Sequence, residues 1–226
     1  FVTGGGNDAL SRVVNLHPDR FSGFAHHYIG EPDAASALER AVTEQGLRGY
    51  KILAPVVEKP LSSPDYAGVF EVCHRYRLPV LTHFGILGGG GACGVASGPN
   101  LSPLALAEVA QRYPNARFIV PHFGCGFPNE LLSLCWASPN VSVDTSGNNL
   151  WTRWTMERYT LEQLFSRFYE TIGPGRILFG SDSDWFPRGF AARYLMDQLR
   201  AVRSLNLPEA DIRRIFRENA LELLDR

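Results

Sequence analysis

Residues 78–85 read LPVLTHFG, residues 116–124 read ARFIVPHFG and residues 176–185 read RILFGSDSDW. In each, an apolar run ends close to a glycine and delivers a residue able to do chemistry: His83, His122 or Asp182. Runs that are apolar throughout, rather than at alternate positions, suit strands buried on both faces of a parallel sheet. Working outward, similar segments recur at 24–29, 49–54 and 141–145, which with 79–84, 117–122 and 176–181 makes six predicted strands. Helical spacing separates them at 34–45, 65–76, 102–113, 129–136, 161–172 and 190–205, and a last helix is predicted over 208–224. Pro32 and Asp33 introduce the first of these helices and Gly46 closes it. Such alternation means a barrel or a doubly wound sheet. No GxGxxG or GxxxxGKS/T follows a strand, and polar residues sit at the C-terminal ends of several strands, so the barrel is preferred.

The expected architecture is therefore α/β, a (β/α)8 TIM barrel. Six strand–helix units of roughly 35 residues fall about 60 residues short of a closed eight-unit barrel. The opening FVTGGG reads as the last turn of a strand entering a glycine loop. The chain is thus expected to lack the first βα unit and most of the second strand, with residues 1–226 forming a single barrel domain.

Composition limits the partners. The chain has 226 residues, 45% of them hydrophobic, and a formal charge of −1 with no Lys/Arg run, so neither phosphate backbones nor anionic lipid are expected partners. No apolar stretch reaches the roughly 18 residues of a membrane span. Cys73, Cys93, Cys125 and Cys135 form no CxxC pair, so neither a zinc–thiolate site nor a disulfide framework is signalled. A soluble, cytoplasmic protein acting on a small molecule is expected, as a homodimer or higher homo-oligomer if it associates.

His83 and His122 end successive strands in the same His-Phe-Gly, which predicts two imidazoles at similar depth on neighbouring staves. Asp182 could bind a divalent metal, orient water or move a proton, and the alternative is an Asp capping the next helix. Asp184 lies further into the same loop. Two histidines and a carboxylate are an N/O donor set that suits zinc first, then manganese or iron.

LPVLTHFG, FIVPHFG and ILFGSDSDW, together with HPDRFSGFA, GLRGYKILAP, NLSPLALAEVAQRYPNARF and the closing RIFRENALELL, resemble the amidohydrolase-2 family across nearly the whole chain. That barrel group of the metal-dependent amidohydrolase superfamily includes aminocarboxymuconate-semialdehyde decarboxylase and related hydrolases. The resemblance implies that His83 is a metal ligand, that His122 is a catalytic acid/base or a ligand, and that Asp182 is a ligand that also handles protons. It further implies an HxH pair at the end of a first strand, and this sequence contains no HxH. His26 and His27 are adjacent, so on a strand they point to opposite sides and cannot act as such a clamp. The missing pair is expected upstream of Phe1. His17 and His74 read as surface or packing residues.

Lys51 sits near the end of GLRGYKIL, where a carboxylated lysine bridging two metals, a contact to a substrate carboxylate and a structural ion pair are all open; substrate contact is preferred. Trp185, just past Asp182, is the second candidate for substrate binding. Residues 85–100 hold seven glycines and are expected to form a loop covering the site. Trp151, Trp154 and Tyr159 follow the fifth predicted strand as either a substrate-binding or a packing cluster.

The leading expectation is a metal-dependent hydrolase acting on an amide, lactone or ester through a metal-activated water. The alternative is a non-oxidative, metal-dependent decarboxylase (a lyase) of an unsaturated or aromatic carboxylic acid. A third reading is a metal-free lactonase or binding barrel.

Overall fold

The structure is a computed structural model that describes residues 2–87, 98–183 and 190–224. Strand and helix alternate through it: α1 (Asn7–Leu16), β1 (Phe24–His26), α2 (Ala34–Thr43), β2 (Gly49–Leu53), α3 (Ala67–Arg75), β3 (Pro79–His83), α4 (Ala107–Arg112), β4 (Arg117–Val120), α5 (Pro128–Ala137), β5 (Val141–Asp144), α6 (Leu161–Ile172), β6 (Ile177–Leu178), α7 (Ala192–Ser204), α8 (Glu209–Arg213) and α9 (Asn219–Leu224). The six strands pair in chain order, each neighbour parallel, which is the arrangement of barrel staves. Val2 adds one parallel bridge to Gly23 on the outer side of β1, with Val2 N donating to Ser22 O at 3.0 Å and Phe24 N donating to Val2 O at 2.8 Å. Within FVTGGG, Val2 thus makes this one bridge, and Gly4, Gly5 and Gly6 follow at positive φ.

Several boundaries differ from the sequence reading, each for a local reason. β4 stops at Val120 because Pro121 has no N–H for the ladder, which puts His122 into a turn. β6 is only two residues long, its last paired residue being Leu178 opposite Asp144, so Asp182 lies in the loop beyond. Helix α1 was not anticipated; its buried positions Leu10, Ser11 and Val14 include a serine, which weakens the apolar periodicity. The predicted last helix is divided between α8 and α9 by a π-helical turn, Arg214–Glu218.

Side chains alternate between the two faces of the sheet. Tyr50, Ile52, Val80, Phe118, Val120, Val141 and Val143 point outward and join Leu38, Phe70, Leu131 and Phe165 from the helices in one buried core. Each such residue contributes about 1.5–3 kcal/mol on burial. On the inner face Phe24, Ile119 and Leu178 form a second cluster, packed by Leu81 and by Ala220, Leu223 and Leu224 of α9. Register then sets what lies beyond this apolar floor. His26, Lys51, Leu81, Ile119 and Ser142 are aligned across five strands, and two residues further along lie Leu53, His83, Pro121, Asp144 and Leu178. On the inner face the apolar Leu81, Ile119 and Leu178 are thus interleaved with His26, Lys51, His83 and Asp144. Among the described residues no helix is long and apolar enough to cross a membrane.

Candidate active site

At the strand ends the structure brings His83 and His122 together, with ring centroids 5.1 Å apart and the planes at 66°. His83 ends β3 and is 9% exposed, and its Nε2 is buried with no hydrogen-bond partner among the described residues. Burial holds its pKa well below the usual 6.5, and the charges of His122 and Lys51 act in the same direction. A neutral imidazole with an unpaired, shielded nitrogen is a costly thing to leave in a protein interior unless a ligand completes it.

His122 occupies the turn after β4 with φ at 59°, and Phe123 and Cys125 also have positive φ, a conformation that stores strain. Its Nδ1 lies 3.0 Å from Ser146 O and 3.0 Å from Ser146 Oγ. A carbonyl oxygen can only accept, so Nδ1 carries the proton and Nε2 is left as the free lone pair. Asp182 also has a positive φ, 50°. It stands beside the same histidine: a Cβ on Gly147, itself at φ +80°, would lie 3.3 Å from His122 Nδ1 and 3.5 Å from Asp182 Oδ2.

Lys51, half-buried on β2, shares a cavity of about 450 Å³ with Leu81, His122, Asp144, Ser146 and Asp182. That volume is in the range of pockets for small molecules. Burial pushes the Lys51 ammonium down to about 8, against the opposing pull of Asp144 and Asp182.

Asp144 is the residue that sequence reasoning missed. It ends β5, and its Oδ1 accepts from Ser146 N at 2.5 Å. Burial raises its pKa, while Ser146, His122 and Lys51 oppose the rise. Its carboxylate lies flat against Gly180, where a Cβ would come within 2.9 and 3.0 Å of the two oxygens and 2.7 Å from Ser146 Cβ. The signal was available: VSVD is a further strand ending in a carboxylate, with Ser142 and Asp144 on one parity and the buried valines on the other.

Not every candidate joins this group. His26 faces the interior beside Lys51, whereas His27 is committed elsewhere, Nε2 lying 2.9 Å from Ala34 O and Nδ1 3.3 Å from Asn7 Nδ2. His74 Nδ1 accepts from Asn115 N on the surface. Trp151 is buried against Tyr159, with Nε1 donating to Asn149 Oδ1, and Trp154 is exposed, which fits packing rather than substrate contact. Trp185 and Asp184 lie outside the described residues, as does 88–97 of the glycine-rich loop.

The donors fit a divalent ion in kind, since His83 Nε2 is an orphaned buried acceptor, with the Asp144 carboxylate two strands along on β5 and Asp182 in the loop beyond β6. They do not complete a sphere, because among the described residues no three His, Cys, Asp or Glu side chains are grouped to hold one.

A family model described as Amidohydrolase matches residues 2–226. No curated protein matches the sequence. Among solved structures, 5-carboxyvanillate decarboxylase from Sphingomonas paucimobilis superposes with a TM-score of 0.71 at 17% identity, covering 96% of this chain and 70% of that one. A dihydroxybenzoic acid decarboxylase from Polaromonas, with bound manganese and 2-nitroresorcinol, gives 0.69 at 21% identity, covering 96% and 73%. A probable 2-pyrone-4,6-dicarboxylic acid hydrolase from Acinetobacter baumannii, with citric acid bound, gives 0.64 at 17%, covering 99% and 80%.

Proposed function

Because the chain belongs to the amidohydrolase family, we propose that it carries out metal-dependent, non-oxidative decarboxylation of an aromatic or unsaturated carboxylic acid. The observation that carries this reading is the placement of one cation, Lys51, in the same cavity as His122, whose Nε2 is free. A carboxylic acid substrate needs an anchor for its anion and a group that can return a proton to carbon. Hydrolysis was the first expectation from the sequence. Decarboxylation is better supported, since two of the three neighbours above are decarboxylases, and the hydrolase neighbour leaves hydrolysis as the second reading.

His83 through Nε2 and Asp182 through its carboxylate would hold the metal. When bound, a divalent ion would polarise and orient the substrate oxygens. Manganese is present in the Polaromonas structure, and the same N/O donors also suit zinc.

The remaining steps fall to the chain's own residues. Lys51 binds the carboxylate and sets its orientation over the apolar floor of Leu81 and Leu178. The bond between the ring or vinyl carbon and the carboxyl carbon breaks, carbon dioxide leaves, and the electron pair stays on the substrate carbon. His122 Nε2, a lone pair in the resting site, takes up a proton from water and passes it to that carbon, which completes the exchange. Ser146 keeps the imidazole turned so that Nε2 faces the substrate.

The test is to incubate the metal-loaded protein with a panel of hydroxylated aromatic acids in ¹⁸O-labelled water. Release of carbon dioxide without ¹⁸O in the organic product supports the proposal. Label in the product without carbon dioxide transfers the assignment to hydrolysis, and neither outcome across amide, lactone and acid panels overturns both.

A further inference from the structure

The structure assigns Gln198, on α7 outside the barrel wall, as a positioning residue for His122 that acts through Thr145 and Ser146. This rests on the proposal that His122 moves the proton.

Gln198 is 1% exposed, an unusual place for a side chain with a donor and an acceptor to satisfy. Both groups are spent on a single residue. Thr145 Oγ1 donates to Gln198 Oε1, and Gln198 Nε2 donates to Thr145 O at 2.9 Å. Asn149 Nδ2 donates to the same carbonyl at 3.1 Å, and Trp151 Nε1 holds Asn149 Oδ1 at 3.2 Å. Thr145 N donates to Leu178 O at 2.9 Å. Every polar atom of Thr145 is therefore tied to the wall or to the helix behind it.

Thr145 stands between the two residues that touch the chemistry. Asp144 precedes it and faces Lys51, while Ser146 follows it and presents both its carbonyl and its hydroxyl to His122 Nδ1. The His122 turn has three non-glycine residues at positive φ, so it needs support from outside to persist. Ser146 supplies that support, and Gln198 holds the backbone from which Ser146 projects. A half turn of the 145–146 backbone would withdraw the Ser146 carbonyl that fixes the His122 tautomer.

The test compares Gln198→Met, which keeps the length and removes both hydrogen bonds, with Thr145→Ser, which keeps both. Readouts are kcat and KM for a decarboxylated acid, the melting temperature, and the ¹⁵N shifts of the His122 ring, assigned with His122→Gln. Gln198→Met is expected to lower kcat about ten- to a hundredfold with KM within twofold, the range for losing an outer contact of a reacting group. The His122 nitrogens should move from a single Nδ1–H tautomer to an averaged pair. Thr145→Ser is expected to leave kcat, KM and the ¹⁵N pattern unchanged, whereas Thr145→Val, which removes the hydroxyl bonded to Gln198 Oε1, should shift kcat and the ¹⁵N pattern in the direction of Gln198→Met. A lower melting temperature with kcat within twofold and an unaltered ¹⁵N pattern would reduce Gln198 to a structural role and overturn the inference. If the wild-type chain turns over no acid, the proposed reaction fails, and the ¹⁵N comparison still decides the positioning.

Discussion

The imidazoles of His83 and His122 meet at 66° with centroids 5.1 Å apart, yet their nitrogens are treated differently. His122 Nδ1 is occupied by Ser146, whereas His83 Nε2 is buried and has no partner among the described residues. The first arrangement suits a group that must keep one tautomer during proton transfer. The second suits a ligand.

His83→Ala is accordingly expected to weaken binding of manganese or zinc at least about tenfold, since it removes a buried nitrogen donor. Metal content by mass spectrometry after equilibrium dialysis checks this. His74→Ala, on the surface of α3, is the control and should bind as the wild type does. Equal metal content in the His83 variant and the wild type would remove His83 from the site.

Lys51→Met is expected to raise KM for a carboxylate substrate ten- to a hundredfold, because a charge-assisted contact to an anion contributes about 1.5–3 kcal/mol. Affinity for the methyl ester of the same acid, measured by competition, should change by less than twofold. A parallel loss for acid and ester would show that Lys51 shapes the cavity rather than binding the anion.

Gly180→Ala puts a Cβ 2.7 Å from Ser146 Cβ and 2.9 Å from Asp144 Oδ2. Overpacking of this kind costs about 1–3 kcal/mol and should displace the Asp144 carboxylate, lowering both the melting temperature and turnover. Gly175→Ala is the matched control, since its nearest neighbour is Arg214 Nη2 at 3.7 Å. Similar melting temperatures for the two variants would mean that Asp144 is less tightly confined than the geometry shows.

His27 offers a pH dependence away from the reacting groups. Burial is the largest influence and holds its pKa below the usual 6.5, against the Ala34 carbonyl, Asp33 and Glu31. The unfolded chain then binds a proton at higher pH than the folded one, so this stability is complete above about 6.5 and falls as pH drops, levelling below the lowered folded value. Melting temperatures between pH 8 and pH 5 should show this acid limb, and His27→Gln should flatten it. An acid limb of unchanged depth in that variant would place the proton uptake on other groups.

How much was legible in advance follows from which information is local. Continuous apolar runs and helical spacing are properties of neighbouring residues, so the six strands and α6, from Leu161 to Ile172, could be read directly. So could the closeness of His83 and His122, because similar apolar runs end at each on successive strands, although the register sets His83 level with Pro121 and leaves His122 one residue beyond, in the turn. Asp144 escaped because VSVD is short and half polar, and its importance comes from a glycine, Gly180, that lies next to it only after β5 and β6 pair. Lys51 could be flagged as a cation on a strand, but its company of Asp144 and Asp182 arises because curvature of the sheet brings β2 and the end of β5 to one lumen.

The sequence by itself thus determined the staves, their order of chemistry and the family to which their motifs point, since each depends on spacing along a few consecutive residues. Only the tertiary structure decided which groups meet. It left His83 Nε2 without a partner, fixed the His122 tautomer on Ser146 and routed Gln198 to Thr145 across 53 residues of chain. Hydrogen bonds of that kind are made by packing two distant elements together, and no local periodicity encodes them.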